Sequence, residues 1–429
     1  MSIDDCLDKR RRVTGGNLSL GYTEPLKIVR GEMQYLFDAS GRRYLDAYNN
    51  VPHVGHCHPE VVEAATRQLR TLNTNTRYLS DQFNDYAEAL IETMPAGLDT
   101  CFLLSSASEA NELALRLART ATGRRDTIVA EAAYHGHTTT LIDLSPYKHD
   151  GPGGMGAPDW VHTVPIPDTY RGKFRGADAG LAFAAEVAQT IDQIEASGSL
   201  LGAFIAETYP SVGGQIIPPE AYLREVYRQV RAAGGICIAD EVQTCYGRIG
   251  ESFYAFEQQG AEPDIVVLGK PIGNGHPLAA VITRRELADA FDNGMEFFST
   301  FGGSTVSCAI GMKVLEVTQK EELQAHALAV GDPLLEKFTE LKVRHPLVGD
   351  VRGSGLFLGI ELVEDHESLE PAASAASRVA DVLKDRGILI GTDGPYHNVL
   401  KIRPPMPFDQ ANGDELVTAL DETLAAVRP

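Results

Sequence analysis

An α/β fold built on a largely parallel sheet is predicted by three observations. Short apolar runs alternate with segments of helical period, the runs are apolar on both faces, and 429 residues suffice for a large core plus a smaller unit. In chain order, "TCFLLSS" (100–106) predicts a strand. "EANELALRLARTATG" (109–123) predicts a helix with Ala110, Leu113, Ala114, Leu117 and Ala118 on one face. "DTIVAE" returns to a strand, followed by "LGAFIAET" (201–208) and a helix over "PEAYLREVYRQVRAAGG" closed by its glycines. "ICIADEV" (236–242), "DIVVLGK" (264–270) and "LAAVIT" (278–283) complete the strand series.

Two regions break this rhythm. Within residues 13–60, "LKIVRGEMQYLFDASGRRYLDA" predicts a small antiparallel element with a turn at Ser40-Gly41. From about residue 325 the order helix, "VGDVRGSGLFLGIEL", helix, "GILIG", "NVLKIRPP", helix predicts an α+β unit. The expected division is an N-terminal segment (1–60) joining the small domain, a large domain (61–324) and a C-terminal small domain (325–429). The glycine-rich stretches at 149–160 and 167–176 are expected as surface loops of the large domain.

The formal net charge of −21 argues against nucleic acid and anionic membranes as partners, because both require a basic face. An anionic ligand would need a local positive pocket. The six cysteines have no paired metal or redox spacing and suit a reducing cytoplasm. The N-terminal stretch has no apolar core of signal-peptide length, and no run of eighteen apolar residues occurs.

In open parallel sheets ligands sit at the carboxyl ends of the strands, so the exits are where chemistry is sought. After 101–104, Ser106, Ala107 and Ser108 open a helix, offering free amides and hydroxyls to a phosphate; an ordinary helix cap is the plainer alternative. After 236–239, Asp240 is a carboxylate at the mouth of a buried strand, where it needs a cation; an ion pair with Arg248 would satisfy it. Lys270 ends the next strand, where desolvation lowers an amine's pKa and suits it to Schiff-base chemistry, unless it merely snorkels to water. Together a phosphate cup, a carboxylate and a lysine match the needs of pyridoxal phosphate: a held phosphate, a protonated ring nitrogen and an aldehyde bound as an imine. Tyr134, in "AYHGHT", adds an aromatic able to stack on the ring.

The motifs "SSASEANELALRLAR", "YHGHT", "AFIAE", "ADEVQTCYGRIG", "LGKPIGNGHP", "STFGGSTVSCA" and "LKIRPP" resemble those of the class III aminotransferase family, from about residue 20 to the C-terminus. The resemblance implies a fold-type I pyridoxal-phosphate enzyme with a seven-stranded, mainly parallel sheet. It further implies that Lys270 is the Schiff-base lysine and Asp240 the partner of the pyridine nitrogen, both catalytic. Gln243 would contact the ring oxygen, Tyr134 would stack, and Ser106, Ala107 and Ser108 would hold the phosphate. His135 would belong to the same cofactor pocket, Glu207 would sit above the ring, and Thr300 would reach the phosphate from the other subunit of a homodimer, with a tetramer left open. The sequence departs from the usual pattern at Ala107, where glycine is common, and at Ser304-Thr305, where asparagine-proline is common.

Within the family, "NNVPHVGHCHPEVV", "LNTNTRYLSD", "GKPIGNGHP" and "NVLKIRPPMPF" are most similar to phospho-lyases acting on ethanolamine phosphate and phosphohydroxylysine. That implies elimination of phosphate from a small phosphorylated amine, against the alternative of an ω-aminotransferase passing an amino group to a keto acid. His53, Arg77 and Arg403 are the expected substrate contacts, with Lys401 as a helper. The cluster His53, His56, Cys57 and His58 lacks the second ligand pair of a structural zinc site, so no metal is expected. A nicotinamide cofactor would need a glycine fingerprint after the first strand, which is missing.

Overall fold

The computed structural model describes residues 2–427. Strands β1 (Ile28–Glu32), β2 (Tyr35–Asp38) and β3 (Arg43–Asp46) form the antiparallel N-terminal element. Its turn is fixed by Asp38, whose Oδ1 accepts from the Ser40 amide at 2.8 Å and the Arg42 amide at 3.0 Å, while Gly41 takes a φ of 88°. This is an Asx-type turn with glycine where the backbone goes left-handed.

The central sheet contains β4 (Thr100–Leu104), β5 (Asp126–Ala130), β6 (Val161–Val164), β7 (Leu201–Glu207), β8 (Ile236–Asp240), β9 (Ile265–Leu268) and β10 (Ala279–Thr283). Its order is β4-β10-β9-β8-β7-β5-β6, and β10 runs antiparallel to both of its neighbours. The segment joining β9 to β10, residues 269–278, is too short for a parallel crossover, so the chain must turn back on itself. Lys270 sits at the start of that reversal. Along β7, β9 and β10 alternate side chains enter two different apolar clusters: Phe204, Val266, Leu268 and Ile282 in one, Ile205, Val267 and Val281 in the other. Burial on both faces is what makes these strands read as unbroken apolar runs. β6 lay between two expected loops and is an edge strand whose inner positions are His162 and Thr163. Their polarity hides it from a hydropathy reading.

C-terminal to these, β11 (Val348–Ser354), β12 (Phe357–Leu362), β14 (Gly391–Asp393) and β15 (Val399–Ile402) form a third sheet, order β11-β12-β15-β14. The stretch "GILIG" is divided: β13 (Ile388–Leu389) leaves that sheet and pairs in parallel with β3, with Ile388 opposite Leu45. The N-terminal strands are thereby fastened to the C-terminal part of the chain.

Candidate active site

The parallel strands deliver their exits to one side of the sheet, around a cavity of about 360 Å3 lined in part by Ser106, Tyr134, Glu207, Asp240, Gln243 and Lys270. The helix Ala107–Thr122 starts directly at the exit of β4. Ser106 is extended and caps it, accepting from the Glu109 amide at 3.2 Å, while Glu109 accepts from the Ser105 amide at 3.1 Å. The first amides of the helix, on Ala107 and Ser108, have no partner within it, and both residues line the cavity. Two glycines permit the close approach here. A Cβ at Gly269 would lie 2.9 Å from Cβ of Ala107, and one at Gly136 would lie 2.7 Å from Oγ of Ser108. The methyl of Ala107 therefore packs toward the exit of β9. Oγ of Ser108 is held 3.0 Å from Nδ1 of His137.

Asp240 ends β8 at 4% exposure. Its Oδ2 accepts from Asn111 Nδ2 and lies within hydrogen-bond reach of His135 Nδ1, both at 2.9 Å, while Oδ1 accepts from the Val242 amide at 3.2 Å. No Lys or Arg among the described residues forms an ion pair with it. Arg248 is not its partner: that side chain is fully buried elsewhere, donating to the carbonyls of Leu356 and Pro404. A buried carboxylate so placed can still take a cationic donor, which is what a protonated pyridine nitrogen would supply. His135 thus sits behind Asp240 and orients it.

Lys270 makes no hydrogen bond or ion pair among the described residues and lines the cavity. Its backbone φ is +30°, a left-handed value that costs a non-glycine residue roughly 1–3 kcal/mol. Burial holds its amine below the usual lysine range; Asp240 and Glu207 oppose this and Arg403 reinforces it. Glu207, the last residue of β7, is pushed up to about 7 by burial first and by the neighbouring Asp240 second. Its carboxylate accepts from the Ser211 amide at 3.1 Å.

Gln243 is oriented by a buried chain of polar groups. Its Oε1 accepts from Asn50 Nδ2 at 2.8 Å and from Arg403 Nη1 at 2.7 Å, which assigns its amide nitrogen to the cavity side. Arg403, 5% exposed, also donates to Ser211 Oγ and lies 3.8 Å from Asp393, and its Nε has no partner. Lys401 pairs with Asp393 at 3.0 Å.

His53, Arg77 and Thr300 lie away from this chain's cavity, Thr300 having been expected at that of a second copy. His53 is completely buried behind the site, its Nε2 3.0 Å from the Tyr246 carbonyl and its Nδ1 3.4 Å from Arg248. Burial and Arg248 hold it neutral. Arg77 is on the surface, paired with Glu296 at 3.2 Å and lying over the ring of Phe298. Thr300 is exposed on the same loop as Phe298. Within the histidine cluster, His56 pairs with Asp46 and His58 with Glu321. Among the described residues no group of three or more potential ligands could hold a metal.

Sequence reasoning passed over Asn50, Asn111, Ser211 and His276. Asn111 had a legible signal, since it interrupts the apolar face of its helix directly after Ala110. His276, on the cavity wall, is held by Ser307 Oγ at 2.9 Å and was visible only as part of "GNGHP". Asn50 and Ser211 join the site through folding of distant segments and carry no local mark.

The model of the aminotransferase class-III family matches residues 19–424. The chain belongs to the class III aminotransferase family. Its cofactor is pyridoxal 5′-phosphate, and the amide cradle, the buried carboxylate and the unpartnered amine just described fit that group. A Drosophila melanogaster protein named alanine–glyoxylate aminotransferase 2-like is 48% identical over 435 residues, covering 100% of this chain and 88% of its own. A Caenorhabditis elegans ethanolamine-phosphate phospho-lyase homolog is 44% identical, covering 99% and 94%. The solved structure of an Arthrobacter phospholyase in complex with phosphoethanolamine superposes with a TM-score of 0.94 at 38% identity, covering 99% of this chain and 100% of that one.

Proposed function

We propose that this enzyme is a phospho-lyase that eliminates phosphate from O-phosphoethanolamine or a similar small phosphorylated amine, releasing acetaldehyde, ammonia and phosphate. The observation that carries this reading is the likeness, along the whole chain, to the phospholyase solved with phosphoethanolamine. The rival reading, an ω-aminotransferase, draws on the name of the fly relative. The reactions share their first half and part after it.

When bound, pyridoxal 5′-phosphate supplies an electron sink for negative charge on the carbon bearing the substrate nitrogen. Asp240, steadied by Asn111 and His135, holds positive charge at the ring nitrogen. Lys270, its amine already below the usual range, takes the proton from that carbon as a general base. Where the next carbon carries phosphate, the pair left on the first carbon forms a C=C bond as the C–O bond breaks and phosphate departs with that bond's electrons; the remaining two-carbon enamine takes up a proton at carbon, and water divides it into acetaldehyde and ammonia. Where it does not, the proton must be returned elsewhere and a keto-acid acceptor is required.

A cytoplasmic homodimer, or an assembly of such dimers, is part of the same proposal. Thr300 and Arg77 share an exposed face with the apolar side chains Tyr78, Leu79, Met295 and Phe301, from which both could serve the cavity of a second copy. The test is incubation with O-phosphoethanolamine and no keto acid. Phosphate, acetaldehyde and ammonia in equal amounts are expected, and absence of phosphate release overturns the reading.

A further inference from the structure

A phospho-lyase must neutralise a dianion at the substrate end of its cavity, and most cations near that end are already engaged. Arg403 is held by Ser211, Gln243 and Asp393, and Lys401 by Asp393. Arg352 pairs with Asp350 and Glu361, and Arg171 with Glu361. Lys148 differs. It is exposed, in the last turn of the short helix Pro146–His149, and has no carboxylate partner among the described residues. Its Nζ lies 5.8 Å from the ring centre of Tyr134 and 5.0 Å from that of Tyr147, and the two rings are 6.5 Å apart.

These rings mark a seam. Tyr134 lines the cofactor cavity, whereas Tyr147 and Lys148 line a second cavity of about 790 Å3 beside it, bounded also by Arg171, Tyr396 and His397. Contact with two aromatic faces gives the ammonium a resting position without neutralising it, so no ion pair has to be broken before an anion binds. A compact, strongly hydrated ammonium on a flexible stem also suits a mobile phosphate group.

Resting on the phospho-lyase reading, we propose that Lys148 is the residue of this chain that recognises the substrate's phosphate, gripping it at the seam between the two cavities while Lys270 serves the amine end. It is a specificity-determining residue: it favours a phosphorylated amine over an amine of the same length without phosphate.

The test combines steady-state kinetics on the holoenzyme with calorimetric titration by inorganic phosphate, for the wild type, Lys148→Gln and Lys148→Arg. Lys148→Gln should raise both the KM for O-phosphoethanolamine and the Kd for inorganic phosphate about tenfold, with kcat within about twofold, and Lys148→Arg should restore most of both. Affinity for ethanolamine should stay unchanged in both variants. Phosphate binding equal in wild type and Lys148→Gln, or no binding in either, overturns the assignment. Failure of the wild type to release phosphate from O-phosphoethanolamine is read separately and counts against the phospho-lyase reading itself.

Discussion

The two ends of the active site are built on different principles. At the cofactor end Asp240 and Glu207 terminate buried strands, and Lys270 begins the tight reversal between β9 and β10. The two carboxylates have their environments fixed by groups that are themselves buried: Asn111 and His135 for Asp240, the Ser211 amide for Glu207. The residues proposed to meet the substrate, Lys148 and Arg77, are exposed and sit on a short helix and a loop. Rigid, desolvated groups set pKa values and hold charge where a reaction needs it. Exposed cations on adaptable segments select what enters, at little cost to folding. Under the proposed function, the chemistry common to the family lies at the strand ends and the choice between lyase and aminotransferase in the loops.

Substitutions can break that division or sharpen it. Lys270→Ala should abolish turnover, by about four orders of magnitude or more, and remove the visible absorbance of the lysine-bound cofactor; steady-state assay and spectroscopy check both. Asp240→Asn should lower kcat about 10²–10³-fold with the lysine-bound cofactor still detectable, since only the charge at the ring nitrogen is lost. Arg77→Ala should raise the KM for O-phosphoethanolamine roughly tenfold or more, leaving kcat near its original value, if the proposed homodimer brings the residue to the substrate of a second copy. A loss in kcat alone would move Arg77 to the other side of the comparison.

Glu207 gives a pH test in the cofactor-free protein. Its carboxyl titrates near 7 when folded against an ordinary 4.5, so between those values the folded state keeps a proton that the unfolded state has released. Stability should therefore fall as pH rises from about 4.5 to 7. In Glu207→Gln that fall should be smaller, as measured by urea unfolding across the range. The smallest effect on turnover belongs to His53→Gln. A buried imidazole closed by a carbonyl and an arginine should leave KM within about twofold while costing about 1–3 kcal/mol of stability.

What the sequence disclosed follows the same boundary. Unbroken apolar runs mark strands covered on both faces, whichever way they run, so β4, β5, β7–β9 and the antiparallel β10 were legible, and with them the residues at their exits. β6 was not, since His162 and Thr163 break its run at the sheet edge. Asp240 and Lys270 stood out because a charge beside an apolar strand is conspicuous, whereas Glu207 was marked only by the family resemblance. His53 misled for the complementary reason: a histidine near glycine and proline looks accessible, and its burial against Tyr246 and Arg248 depends on contacts 193 and 195 residues away. Arg403 reaches Gln243 across 160 residues in the same manner, and no local pattern records that it is already occupied.

The most direct measurement puts O-phosphoethanolamine and pyruvate in one vessel with the holoenzyme and follows inorganic phosphate and alanine together. Release of one phosphate for each substrate consumed, with acetaldehyde in equal amount and no alanine, is the predicted result. Alanine accumulating while phosphate stays on the two-carbon product would contradict the account and leave the enzyme an aminotransferase.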